Sequence, residues 1–147
     1  MEWRNSKGYP DPTAAEALAR VVALEKAAGR RYRPLVYICS PYAGNIDYNT
    51  SRARGYCRFA LSVGCIPLAP HLHYPQFMDE SDSESRELGL SIALILLGKC
   101  KAVWVFGDRI SEGMAREIAK AKRRGMPIRY FNEKCEEVVR DEDCSRQ

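Results

Sequence analysis

The sequence predicts an α/β fold: a small doubly wound parallel sheet of four to five strands with flanking helices and an extra N-terminal helix. Three observations predict it. Short continuous apolar runs, such as Leu35-Val36-Tyr37-Ile38-Cys39 and Ala102-Val103-Trp104-Val105-Phe106, read as buried strands. Segments with apolar residues at helical spacing lie between these runs. Strands that alternate with helices imply parallel β-α-β units with right-handed crossovers, a Rossmann- or flavodoxin-like arrangement.

The elements follow in order. Residues 1–12 are rich in turn formers, and Asp11-Pro12-Thr13 opens a helix with Asp11 as N-cap and Pro12 at its first position. Ala17, Val21, Leu24 and Ala28 recur along it, and Gly29 ends it. It precedes the first strand, so it is an appendage to the sheet. After the strand at 35–39 comes the loop Ser40-Pro41-Tyr42-Ala43-Gly44-Asn45. A helix then spans residues 47–62, with Tyr48, Arg52, Tyr56, Ala60 and Val63 near one face and Gly64 as its stop. The second strand is residues 65–69. Pro67 lacks a ladder donor and places it at or near a sheet edge.

Residues 70–79 are expected to form a loop carrying His71, His73, Tyr74 and Phe77. The next helix reaches Lys99 with Leu88, Ile92, Ile95 and Leu96 on its apolar side. The third strand, 102–106, ends at Gly107, and a helix over residues 111–124 turns Met114, Ile118 and Ala121 toward the sheet. The fourth strand is 128–131, and residues 134–140 read as a short helix. The expected units are 1–33, a turn and helix packing on the core; 34–133, the α/β domain; and 134–147, a charged tail. No internal repeat or low-complexity segment is visible.

Composition narrows the function classes. The 147 residues carry a net charge of +4, with 46% hydrophobic and 29% charged residues, as in an ordinary globular domain. The basic cluster Lys120, Lys122, Arg123 and Arg124 reads as a solvated helix face, so no nucleic-acid polymer is expected as partner. The six cysteines form no Cys-x-x-Cys pair, which argues against a zinc ribbon or a thioredoxin-like site. No signal peptide and no apolar stretch of ~18 residues is apparent, so a cytoplasmic protein with reduced thiols and no membrane contact is expected. A homo-oligomer, with a dimer favoured, is expected because the N-terminal helix offers an additional apolar face.

The candidate chemistry gathers at the carboxyl ends of the strands, where ligands bind in open α/β sheets. Glu117 sits in the first two turns of the helix that opens at Ser111. Its side chain should lean back toward the loop, since helical side chains tilt toward the N-terminus. A solvated surface Glu is the plain alternative. A positioned carboxylate there suits attack on an anomeric carbon, so Glu117 is a candidate nucleophile for an N-glycosidic bond. In the first loop, Gly44 allows close backbone approach and Asn45 or Asp47 caps the helix; the loop is neither Gly-x-Gly-x-x-Gly nor a P-loop. His71 reads as a positioning group in the pocket. A metal would need a third ligand beyond His71 and His73, so no metal or organic cofactor is expected. Tyr42, Tyr74 and Phe77 either stack on a flat base or pack against their neighbours.

The stretches Tyr37-Ile38-Cys39-Ser40-Pro41-Tyr42-Ala43-Gly44, Pro67-Leu68-Ala69-Pro70-His71 and Ser111-Glu112-Gly113-Met114-Ala115-Arg116-Glu117 resemble the nucleoside 2-deoxyribosyltransferase-like superfamily. That superfamily includes the 2′-deoxynucleoside 5′-phosphate N-hydrolases. Within it, the chain is similar to small DUF4406/DUF7768-type sequences of bacteria and phages. The resemblance implies an N-glycosidase or deoxyribosyltransferase acting on a nucleoside or nucleoside 5′-monophosphate. The pattern Ser-x-Gly-x-x-x-Glu falls on Ser111, Gly113 and Glu117, the last as nucleophile. Ser40, Tyr42, Ala43, Gly44 and Asn45 would lie against sugar or phosphate. His71, Tyr74 and Phe77 would hold the base, and Gly107 and Met114 would complete the substrate site. The superfamily's helix before the third strand carries an Asp that assists the leaving base. Here an ungapped reading places Ala93 there, leaving Glu87, Asp79, Asp82 or Asp108 to substitute. A non-catalytic nucleotide-binding module on the same fold is the alternative.

Overall fold

The structure is a computed structural model that describes residues 12–29, 32–79 and 81–140. The chain divides into two units, residues 1–33 and 34–147. Among the described residues, the first unit contains one helix, α1 (Pro12–Gly29), starting at the expected proline. The expected cap, Asp11, lies outside the described residues.

The second unit is a five-stranded sheet in the order β2-β1-β3-β4-β5. Its strands are β1 (Leu35–Cys39), β2 (Ile66–Leu68), β3 (Ala102–Phe106), β4 (Ile128–Phe131) and β5 (Glu137–Val138). The first four run parallel, and β5 pairs antiparallel with β4. Strands β1, β3 and β4 have the expected bounds. β1 and β3 are apolar runs buried from their second residue on, while β4 carries the exposed Arg129 and buries only Tyr130 and Phe131. Pro67 lies in β2 at the sheet edge, as its missing N–H requires.

Helix α2 (Ile46–Ser62) covers one sheet face; α4 (Ser83–Leu97) and α5 (Glu112–Arg123) cover the other. Alternation along the strands sorts the core accordingly. Val36, Ile38, Trp104 and Phe106 point toward α2, while Tyr37, Cys39, Val103 and Val105 point toward α4 and α5. The α2 side is an aromatic layer. Tyr56 stacks on Phe106 at 4.3 Å and Phe106 on Phe131 at 4.9 Å between ring centroids. Each such pair adds roughly 0.5–1.5 kcal/mol beyond the area it buries.

Four expectations need correction. Residues 70–79 are not a plain loop: Pro70 opens a one-turn helix, α3 (Pro70–His73), and a 3-10 turn follows at Tyr74–Gln76. Residues 134–140 are not helical. The Asn132 side chain accepts from the backbone N–H of Lys134 at 2.9 Å and of Glu136 at 3.0 Å, which turns the chain back into β5. An ion pair between Arg129 and Glu137 locks the pairing. The buried stripe of α2 is Ala53, Tyr56 and Ala60, with Tyr48 and Val63 exposed. In α4 the buried residues are Ala93 and Leu97, while Leu88 and Ile95 face solvent. Among the described residues, no helix is long and apolar enough to cross a membrane.

Candidate active site

The chain leaves β1 for β2 on one side and returns to β3 on the other, so the strand order reverses between β1 and β3. Ligands bind at such a switch point, outside the carboxyl ends of the strands. The loops after β1 and β3 diverge there and border an open cavity of about 480 Å³.

Local chemistry holds both loops in place. After β1, Asn45 caps α2, its side chain accepting from the Tyr48 N–H at 3.2 Å. Asn49 then reaches back, its amide donating to the carbonyls of Tyr42 and Ala43 at 3.1 Å each. Gly44 has φ +99°, a conformation that favours glycine. After β3, Gly107 at φ +96° turns the chain, and Ser111 caps α5 by accepting from the Met114 N–H at 3.2 Å. Arg140 donates to the Gly107 carbonyl at 2.9 Å and ties the C-terminal segment to this turn.

Glu117 lies in the cavity wall on α5, one residue before the buried Ile118. Its carboxyl lies beside the Tyr37 hydroxyl and the Cys39 thiol from the neighbouring strand β1, and both favour its ionised form; the thiol itself donates to the Met114 carbonyl at 3.9 Å. Burial raises its pKa from the usual 4.5 to about 7, against the pull of those two donors toward the ionised form. In turn, Tyr37 and Cys39 are pushed well up, first by their own burial and then by the adjacent carboxylate.

Also in the lining, the Ser40 hydroxyl and His71 Nε2 share a hydrogen bond of 2.9 Å. Ser40 is only 7% exposed. Burial pushes the His71 pKa down to about 4, so its ring is neutral at pH 7. Tyr42 meets the His71 ring edge-on at 6.2 Å.

The cavity brings together Ser40, Tyr42, Ala43, His71, Tyr74, Ser111, Gly113, Met114 and Glu117 among the residues singled out in the sequence. Gly44, Asn45, Gly107 and Phe77 lie outside its lining. The first three shape the loops. Phe77 is 63% exposed and packs against the rings of His73 and Tyr74 at 5.1 and 5.3 Å. Among the described residues, no three His, Cys, Asp or Glu side chains come together as a metal site.

Of Asp79, Asp82, Glu87 and Asp108, only Glu87 lines the cavity. Its carboxylate pairs with Arg116 at 3.3 Å. Asp82 caps α4, Asp79 accepts from the Ser81 N–H, and Asp108 is exposed. Ala93 stands in the wall, 8% exposed. Tyr37, Arg86 and Arg116 also line the cavity and were not singled out in the sequence. Tyr37 carried a signal: alternation along β1 puts it on the same face as Cys39. Arg86 and Arg116 carried none, because the contact between α4 and α5 is tertiary.

A search of curated proteins finds no match. A solved structure described as a 2-deoxyribosyltransferase from the psychrotolerant bacterium Bacillus psychrosaccharolyticus superposes with a TM-score of 0.53. It is 18% identical in sequence, over 72% of this chain and 77% of that one, a likeness of fold. The model of a domain of unknown function, DUF7768, matches residues 34–131, which include every element bordering the cavity. The chain belongs to the DUF7768 family.

Proposed function

We propose that the protein breaks or exchanges an N-glycosidic bond of a nucleoside or nucleoside 5′-monophosphate, with Glu117 as nucleophile. The observation that carries this reading is the Glu117 carboxyl in the cavity wall at the switch point, beside the Tyr37 hydroxyl and Cys39 thiol. A carboxylate held in the cavity wall beside these groups is placed to meet a bound sugar, and the attack is then intramolecular in effect. Glu117 attacks C1′ as oxocarbenium character develops, and a glycosyl-enzyme forms. Water or a second base resolves it. The fold shared with a 2-deoxyribosyltransferase supports the same chemistry.

The other lining residues take roles that follow from their chemistry. The Ser40–His71 pair presents a fixed polar edge, and the rings of Tyr42 and Tyr74 offer flat faces to a base. Ser111 and Gly113 stand at the N-terminus of α5, where backbone N–H groups suit a sugar hydroxyl or phosphate oxygen. Glu117 must be ionised to attack. With its pKa near 7, turnover rises about tenfold per pH unit below 7 and levels above it.

Ala93, at the position where the superfamily carries Asp, favours a second reading, a nucleotide-binding module without chemistry. A chromatographic screen for released base, over nucleosides, deoxynucleosides and their 5′-monophosphates, separates the two. The glycosidase reading expects release by the wild type and none by Glu117→Gln. Thermal stabilisation by a nucleotide without any release would establish the binding module instead.

A further inference from the structure

The turn from β3 into α5 sets where Ser111 and Glu117 stand, because both follow it in the chain. Its pivot is Gly107, at φ +96°, a conformation that other residues enter only with strain. Both backbone groups of Gly107 are tied to β4 and the segment after it. Its N–H donates to the Phe131 carbonyl at 3.0 Å, and its carbonyl accepts from the Arg140 guanidinium at 2.9 Å. Among the described residues, Asp108, Arg109 and Ile110 make no hydrogen bond. Gly107 is therefore the last polar anchor of the chain before the Ser111 cap.

Arg140 reaches that anchor through contacts made by residues beyond the matched family segment, which ends at residue 131. The Asn132 turn reverses the chain, β5 pairs with β4, and Arg129 holds Glu137. Two residues past β5, the half-buried Arg140 lays its guanidinium over the Tyr130 ring at 5.3 Å. Tyr130 is buried in the core cluster that also holds Met114 and Ile118 of α5. The charge of Arg140 also reaches the Cys39 thiol, which lies beside Glu117. A planar guanidinium stacks by its face and donates by its edge at once, which an ammonium cannot do.

We propose that Arg140 is a positioning residue for the reaction: stacked on Tyr130, it holds the Gly107 carbonyl, fixes the β3–α5 turn and so sets the place of Glu117 against the sugar. Its effect on turnover rests on the glycosidase reading; the latch on the turn does not. A displacement of about 1 Å at a reacting group costs on the order of 10²-fold in rate, so a latch far from the chemistry still governs it. The C-terminal segment thereby belongs to the working enzyme although none of it lines the cavity.

The test uses the full chain with Arg140→Met, which keeps an unbranched stem without donor or charge, and Arg140→Lys, which keeps both. Amide hydrogen exchange without ligand reads the latch at Gly107, Met114 and Ala115, whose N–H groups are hydrogen-bonded at the turn and the start of α5. In Arg140→Met these amides should exchange at least about tenfold faster, the worth of one charge-assisted hydrogen bond, while those of β1 and β3 keep their rates and Arg140→Lys restores much of the protection. On a nucleoside or nucleotide that the wild type cleaves in the base-release screen, Arg140→Met should lower kcat by about 10²-fold with little change in KM, and Arg140→Lys should recover part of it. Unchanged exchange at the three amides, or a rise shared equally by β1 and β3, would overturn the inference and leave the glycosidase reading standing. So would a local rise with kcat unchanged. No release of base by the wild type would overturn the glycosidase reading and the role of Arg140 in turnover with it.

Discussion

Replacing Glu117 with Gln keeps the shape of the side chain and removes its charge, and the consequence for stability can be worked from the structure. The folded protein holds the Glu117 proton with a pKa of about 7, against 4.5 for an ordinary Glu. Between those pH values the folded state keeps a proton that the unfolded chain has released. Stability therefore falls as pH rises from 4.5 to 7, and the loss is complete above 7. At ~1.36 kcal/mol per tenfold in proton affinity, the loss amounts to about 3 kcal/mol. A glutamine at this position carries no such penalty, and its amide oxygen still accepts from Tyr37. The Glu117→Gln variant should match the wild type near pH 4.5 and exceed it by up to about 3 kcal/mol at pH 8. For a chain of this size that corresponds to a Tm rise on the order of 10 °C. Urea unfolding from pH 4.5 to 8.5 reads the difference. A gap that does not change with pH, or a variant less stable at pH 8, would refute the claim that Glu117 is desolvated in the folded protein.

Three further substitutions probe the groups around it. Tyr37→Phe removes a donor to the carboxylate, worth about 1.5–3 kcal/mol, and should move the acid limb of the pH–rate profile upward by about one pH unit or more; an unmoved limb would show that the hydroxyl does not hold the nucleophile. Ser40→Ala strips His71 Nε2 of its partner and should cost about 1–3 kcal/mol in denaturant unfolding, whereas an unchanged midpoint would mean that the 2.9 Å bond contributes nothing. Ser111→Ala deletes the cap of α5 and should lower stability by about 1 kcal/mol, read in the same way.

Much of the sheet was legible because its strands are simple. In β1 and β3, continuous apolar runs bounded by turn or polar residues leave little choice of bounds, and the Gly125-Met126-Pro127 turn sets the start of β4. In α5, Met114, Ile118 and Ala121 are buried as their spacing predicts, because charged residues fill the other side. Helix α4 defeated the same reasoning. Its sequence from Leu88 to Leu97 is apolar nearly all round, so periodicity does not select the face, and the sheet chose Ala93 and Leu97 over Leu88 and Ile95. Four residues of α3 are too few to show a helical period. The strand β5 is specified by its partner β4 and by the Arg129–Glu137 pair, which only the formed sheet brings together; the Asn132 turn between them is local in sequence.

The candidate site divides along the same line. Ser40, His71, Ser111 and Glu117 were visible because each falls just after a strand or at a helix start, and parallel strands bring those places to one edge. The bond between Ser40 and His71, the Tyr37 and Cys39 groups beside Glu117, and the Glu87–Arg116 pair across α4 and α5 depend on the packed geometry. Of the two roles open to Phe77, stacking on a base or packing against its neighbours, the structure shows its ring against His73 and Tyr74.

The stereochemistry of turnover tests the central claim most directly. A carboxylate nucleophile inverts C1′ once on attack, and water inverts it again, so the sugar keeps its configuration overall. Turnover of a cleaved β-nucleoside in dilute methanol, followed by proton NMR, identifies the anomer of the methyl glycoside formed. The account predicts the β anomer, formed by the wild type and absent with Glu117→Gln. An α product, or a β product that persists in Glu117→Gln, would contradict Glu117 as the nucleophile.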